Sequence, residues 1–323
     1  MRVGLIGVGK HGRRYAKHVR DDVPGLTLVG VARRDAARVA EAARELGCRG
    51  FATFPELITA DEVDAVIAVV PPVLHEEIVT LAARAGKPLL LEKPAAVSVA
   101  AGRRMLAVVR DHGAWVSVAQ TLRYNGVVCA LRARVAEIGP LHAVTLTQRF
   151  ERSTLAWLDD PDRAGGGICL HTGVHSFDLV RHLTGAEVTA VTCAQGRVRT
   201  RRTEDSFAAT LTLSNGAILA TVAGSRAATG RTGYIEVAGA DGTLIGDHVG
   251  HTARLLAGSE ARPIDPGPPL PTVREALRAF AAALAAGASP PIPLEEGLRA
   301  VAIAEACSRA ASTAAQVEVE GIG

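Results

Sequence analysis

Three clusters in this sequence combine residue types and spacings that can do chemistry. The first is Gly7-Val8-Gly9-Lys10-His11-Gly12, which directly follows the apolar run Val3–Ile6. This pattern suits a tight turn at Gly7, close approach of the backbone to a pyrophosphate at Gly9, and close helix–strand packing at Gly12. The phosphates would rest on the N-terminus of the following helix, beside Lys10 and His11, where free N–H groups and the helix dipole favour anions. About 20 residues further on, the chain reads Ala32-Arg33-Arg34-Asp35. A site for the unphosphorylated dinucleotide would place an acid at the first charged position to bond the ribose 2′-OH. Arg33 suits a 2′-phosphate instead, and Arg34 could stack on the adenine or add a second charge. NADP is therefore favoured and NAD remains possible. The competing structural reading is a solvated arginine pair with Asp35 capping the next helix.

The second cluster is Glu92-Lys93-Pro94, at the end of the strand-like run Leu89–Leu91. A lysine just beyond the carboxyl end of a parallel strand lies where cofactor and substrate meet. If partly desolvated beside a cationic nicotinamide, it would have a lowered pKa suited to proton transfer. The third cluster runs from Gly165-Gly166-Gly167 to Cys169-Leu170-His171 and Gly173-Val174-His175-Ser176-Phe177-Asp178. On a continuous α-helix, His171, His175 and Asp178 would share one face. They could serve catalysis or satisfy buried polar groups. A His-x-x-x-His metal site is the weaker reading, since no further ligand set accompanies it.

These clusters need elements to position them, and the hydrophobic pattern supplies them. Short apolar runs at Val3–Ile6, Leu26–Val31, Ala65–Val70, Leu89–Leu91 and Trp115–Ala119 alternate with helix-period segments over the first 120 or so residues. That alternation predicts a parallel, doubly wound sheet, with Gly47, Gly86 and Gly113 closing helices. Beyond residue 121, helices are expected at 126–137 and 167–183. Strands joined by turns follow to about 258, then a Pro-rich linker at 263–271 and two Ala-rich helices at 272–286 and 294–312. The expected organisation is α/β: a Rossmann domain over 1–121, then an α+β domain over 122–323 with a mostly antiparallel sheet.

Composition bounds the partners. The 323 residues carry 36 Lys+Arg against 33 Asp+Glu, a net charge of +3, and only 3% aromatics. There is no basic excess for a polyanion and little material for base stacking, so nucleic acid is not expected. Residues 206–225 are uncharged, but Ser214-Asn215-Gly216 in their midst favours a hairpin over a membrane span. Five scattered cysteines without a C-x-x-C pair suit a reducing cytoplasm.

The motifs resemble, over nearly the whole chain, the glucose–fructose oxidoreductase, inositol dehydrogenase and rhizopine-catabolism (Gfo/Idh/MocA) family. They are the Gly7–Gly12 run, Val70-Pro71-Pro72 followed by His75, Gly86-Lys87-Pro88 leading to Glu92-Lys93-Pro94, Gln120 with Arg123-Tyr124, the Trp157 region leading to the three glycines, and Gly173-x-His175-x-x-Asp178. The resemblance implies nicotinamide-dependent oxidation or reduction of a carbohydrate, cyclitol or related hydroxyl or ketone compound. It also implies a homo-oligomer, dimer or tetramer, formed through an open sheet. Lys93 and His175 resemble the family's proton-handling pair. His171 stands where the family most often has Asp, a departure that leaves relay, substrate contact or a degraded site open. Pro71, Pro72, His75, Glu92 and Gln120 are expected at the cofactor, with Arg123, Trp157 and His171 at the substrate. Arg123 could equally link the domains by a salt bridge. The alternatives are an NADP-binding sensor without turnover and a lyase or epimerase using transient oxidation.

Overall fold

The computed structural model describes residues 1–33, 35–214 and 216–323. Its contacts divide the chain into two compact units. The first comprises Met1–Ala96, Ala100–Thr121 and Pro271–Leu298; the second comprises Val97–Val99, Leu122–Leu270 and Arg299–Gly323.

In the first unit, six parallel strands form a sheet of order β3-β2-β1-β4-β5-β6. They are β1 (Arg2–Ile6), β2 (Thr27–Ala32), β3 (Arg49–Phe51), β4 (Ala65–Ala68), β5 (Leu89–Leu91) and β6 (Val116–Val118). Strands β4 and β5 are apolar and buried at every residue, and β1 at every residue after Arg2, as a parallel sheet covered on both faces requires. The helices are α1 (Lys10–Asp21), α2 (Ala36–Leu46), α3 (Phe54–Thr59), α4 (His75–Arg84) and α5 (Val99–Asp111). Asp35 caps α2 by accepting the Arg38 N–H, and left-handed Gly47 closes it. Two short elements, β3 and α3, have no counterpart in the periodicity. Three residues carry too little pattern to register as a strand.

The second unit is built on nine strands in the order β14-β13-β12-β11-β7-β10-β9-β8-β15. Here β7 is Leu141–Glu151, β8 Val188–Gly196, β9 Ser206–Leu213, β10 Leu219–Ala228, β11 Thr232–Gly239, β12 Gly242–Asp247, β13 Thr252–Ala257, β14 Glu260–Ile264 and β15 Val317–Glu318. Among the described residues, only the β7–β10 pair of this sheet is parallel. The uncharged stretch 206–225 belongs to the antiparallel pair β9–β10, as the hairpin reading expected; Asn215 of its turn lies outside the described residues. Among those residues no helix is long and apolar enough to cross a membrane. Alternation along β9 buries Phe207, Ala209, Leu211 and Leu213 on one face and leaves Ala208, Thr210 and Thr212 exposed on the other. Helices α6 (Gly126–Arg134) and α8 (Val174–Thr184) lie against this second sheet, and the short α7 (Pro161–Ala164) leads into the glycine run. Pro263, expected in a linker, sits in β14 at the sheet edge, where a missing N–H donor is tolerated.

The last two helices are α9 (Thr272–Ala285) and α10 (Leu294–Thr313). Expected in the second domain, α9 and the start of α10 belong to the first compact unit. The reason is packing: Val273, Leu277 and Phe280 join the core cluster of Val3, Leu5, Tyr15 and Val19, and Trp115 meets Phe280 edge-on at 5.5 Å. Phe280→Ala should therefore lower stability by about 3–5 kcal/mol in urea unfolding followed by Trp115 fluorescence. A loss below about 1 kcal/mol would contradict α9's place in this core.

Candidate active site

The glycine run meets the demands read from its spacing. Gly7 has φ +92° and its N–H donates to the Ala32 carbonyl; a Cβ there would lie 2.2 Å from the Val69 carbonyl oxygen. At Gly12 a Cβ would sit 1.8 Å from the Gly7 carbonyl oxygen, so the helix can pack this closely only through glycine. Gly9 differs: a Cβ would meet nothing within 4 Å. It N-caps α1 with no side-chain hydrogen bond, and the first turn of α1 contains no acid. An open backbone at an uncapped, acid-free helix start fits a pyrophosphate. Lys10 and His11 are exposed there.

Glu92 ties this helix to the strand-end lysine. Its carboxylate is buried, with Oε1 2.6 Å from His11 Nε2 and accepting the Tyr15 hydroxyl at 2.6 Å, while Oε2 accepts the Lys93 backbone N–H at 2.9 Å. Burial alone would raise its pKa. The hydrogen bond and charge of His11, the Lys93 charge and the Tyr15 hydroxyl outweigh that and hold the carboxyl at about 2. Tyr15 is itself fully buried, and burial beside Glu92 pushes its hydroxyl well above the ordinary range. Lys93 is half-buried, and the Lys93–Pro94 peptide is cis. His11 and Tyr15 are four apart on α1, a same-face pair that the sequence displayed but that gains meaning only once Glu92 is opposite.

Other residues expected around the cofactor divide into surface and support. Val70 and Pro71 are half-buried and Pro72 is buried at the end of β4. His75 was expected to line the cleft, but it is fully buried. Its Nδ1 lies 3.2 Å from the Ala95 carbonyl oxygen and its Nε2 3.3 Å from that of Val70. It lies between the loops after β4 and β5, and burial lowers its pKa, favouring the neutral ring, whose single N–H donates to one of these two carbonyls. Glu92 likewise supports from within. Gln120 is buried with its Oε1 lacking a hydrogen-bond partner among the described residues, an acceptor that a carboxamide N–H could satisfy. Arg33 is half-buried and makes no ion pair among the described residues. Arg34 lies outside them.

In the second unit the helical reading of the histidine cluster needs correction. Cys169–Gly173 is a π-helix and α8 begins only at Val174. A π-turn takes up an extra residue, so α-helical i, i+4 spacing does not relate His171 to His175. His171 is buried, its Nε2 2.9 Å from the Ala164 carbonyl oxygen and its ring edge-on to Trp157 at 5.6 Å. Trp157 and His171, both expected at the substrate, thus contact each other. His175 is half-buried near the start of α8. Arg123 directs its fork at Asp178, with Nε donating to Oδ2 at 2.8 Å and Nη2 to Oδ1 at 2.6 Å. Both residues belong to the second unit, so this pair is not the domain-linking bridge entertained for Arg123. Tyr124 is half-buried.

Glu204 is a supporting residue that carries no sequence signature. Its carboxylate accepts the N–H groups of Gly167 and Cys169, and a Cβ at Gly167 would lie 2.1 Å from the Glu204 carbonyl oxygen. This long-range packing explains one glycine of the run. Gln148, buried on β7 with its Oε1 unpartnered among the described residues, and His248, 3.4 Å from its Nε2, were likewise silent in the sequence.

The Glu92 network predicts a pH dependence. Its carboxyl drops from an ordinary 4.5 to about 2 on folding, so its contribution is complete above pH 4.5 and is lost as pH falls through about 2. Glu92→Gln should flatten the dependence of urea-unfolding stability on pH across that window, removing about 3 kcal/mol of variation. Parallel curves for the two proteins would contradict the assignment.

Comparison with known proteins places this geometry. Residues 1–120 match the oxidoreductase family with an NAD-binding Rossmann fold, and residues 133–319 match that family's C-terminal alpha/beta domain. The chain is 28% identical over 336 residues to an inositol 2-dehydrogenase of Rhizobium meliloti, covering 99% of each chain. It is 30% identical over 338 residues to a 1,5-anhydro-D-fructose reductase of Ensifer adhaerens, covering 99% of this chain and 98% of that one. A levoglucosan dehydrogenase solved in complex with NADH shares the fold, with TM-score 0.90 and 22% identity over 99% of both chains. The chain therefore belongs to the Gfo/Idh/MocA family of oxidoreductases, with the family's Rossmann and C-terminal α/β domains both present.

Proposed function

We propose that this enzyme moves a hydride between a nicotinamide dinucleotide and a secondary alcohol or ketone carbon of a sugar, cyclitol or related polyhydroxyl compound. The observation that carries the reading is the buried Glu92 carboxylate, which ties His11 and Tyr15, on the helix that follows the open Gly9 turn, and the Lys93 backbone to one group. The relatives named as acting on inositol and anhydrofructose support the substrate class.

The dinucleotide, when bound, supplies the hydride acceptor or donor. Gly7, Gly9 and Gly12 shape the turn that takes its pyrophosphate, with Lys10 and His11 beside it. Gln120 offers the carboxamide an acceptor, and Val70, Pro71 and Pro72 line the strand end. Lys93 and His175 take the hydroxyl proton in oxidation and return it in reduction. His75 and Glu92 position the loops, and His171 with Trp157 shapes the substrate side. Arg33, without an ion pair among the described residues, is the group for a 2′-phosphate, which favours NADP over NAD. The domain roles follow: residues 1–121 hold the cofactor, and 122–323 hold the substrate and, through the open sheet face, a second copy of the chain. A cytoplasmic location belongs to the same reading, supported by cysteines that are all free thiols.

The test is consumption of reduced nicotinamide absorbance with inososes, keto-sugars and cyclic ketones. Lys93→Ala should lower kcat at least about 100-fold while leaving cofactor affinity within a few-fold; undiminished turnover would overturn the lysine's role. Arg33→Asp should weaken NADPH relative to NADH by about tenfold, and an unchanged ratio would overturn the preference for NADP.

A further inference from the structure

The second unit contains a cavity of about 200 Å³ whose lining includes Arg152, Ser153, Leu158, Ile168, Arg199 and Arg226. Arg226 ends the run of β10 positions that face the helix-covered side, after Ala220, Val222 and Gly224. Its Nη2 donates to the Thr172 hydroxyl at 2.9 Å. That is the guanidinium's only hydrogen bond among the described residues, although it carries five N–H donors. Burial pulls it down to about 10, against the opposing charge of Glu204.

Three carboxylates also line the cavity, and each is already committed to backbone N–H groups. Asp159 accepts those of Arg201, Arg202 and Thr203. Asp205 accepts those of Val198, Arg199 and Thr200, and Glu204 those of Gly167 and Cys169. These bonds brace the loop joining β8 to β9 and the glycine run. None of the three pairs with Arg226, and neither Arg152 nor Arg199 has an ion pair among the described residues. Arg226 is half-buried, with Arg152 and Arg199 exposed at the rim, so the cavity wall presents guanidinium N–H donors that no carboxylate of this unit engages among the described residues.

We propose that this cavity binds a small organic carboxylate, gripped by the Arg226 fork with Arg199 and Arg152 alongside. The planar fork matches a carboxylate with two parallel N–H···O bonds. A dianionic phosphate would face stronger repulsion from Asp159, Glu204 and Asp205. The hydroxyls of Ser153 and Thr200 and the apolar walls of Leu158 and Ile168 suit a short hydroxylated carbon chain. The inference goes beyond the hydride chemistry and does not rest on it.

The test is calorimetric titration of the full chain, without nicotinamide, using D-gluconate, neutral sorbitol and inorganic phosphate as probes. Gluconate should bind, with affinity falling at least about tenfold in Arg226→Gln and several-fold in Arg199→Gln. Sorbitol and phosphate should bind more weakly than gluconate. Absence of gluconate binding, equal binding to a folded Arg226→Gln protein, or sorbitol or phosphate binding as tightly would each overturn the proposal. Should Arg226→Gln fail to fold, unchanged gluconate affinity in Arg199→Gln would overturn it.

Discussion

One buried carboxylate organises the first unit's chemistry. Glu92 sits at the end of β5, where a parallel strand delivers its side chain toward the start of α1. An isolated charge there would be prohibitive, and it is sustained by contact with His11, the Tyr15 hydroxyl and the Lys93 N–H. Because the partners come from the anion-receptive helix and from the lysine loop, both are fixed by the same group. His75 is buried one strand over, its ring lying between the Val70 and Ala95 carbonyls and donating its single N–H to one of them. The open backbone at Gly9 and the Lys93 loop are thus held by residues that are themselves buried.

What the sequence disclosed follows from how local the constraint is. Gly7 and Gly12 were legible because their clashes involve the turn itself and its adjacent strand. The parallel sheet was legible from five apolar runs spaced by helix-length segments. The position of α9 was not, since an Ala-rich amphipathic helix carries no mark of which sheet it covers; Phe280 against Trp115 decides it. Glu204 was silent for the same reason: nothing near it in the chain reveals that it will close on Gly167 and Cys169.

The histidine cluster shows the limit of spacing arguments. His171 and His175 are four apart, yet the π-turn at Cys169–Gly173 breaks the α-helical relation between them. His171 is turned inward onto Ala164 and Trp157, whereas His175 lies on the regular helix. A second histidine in the motif therefore does not by itself make a relay. Asp178 is buried in the unit, where Arg123 meets it with a bidentate fork.

Hydrogen exchange read by mass spectrometry in the wild-type protein and Glu92→Gln tests most directly whether one carboxylate holds both functional loops. Peptides spanning 9–16 and 90–96 should lose protection together in the variant, at a pH where the fold is intact. Faster exchange confined to 90–96, with 9–16 unchanged, would contradict the account.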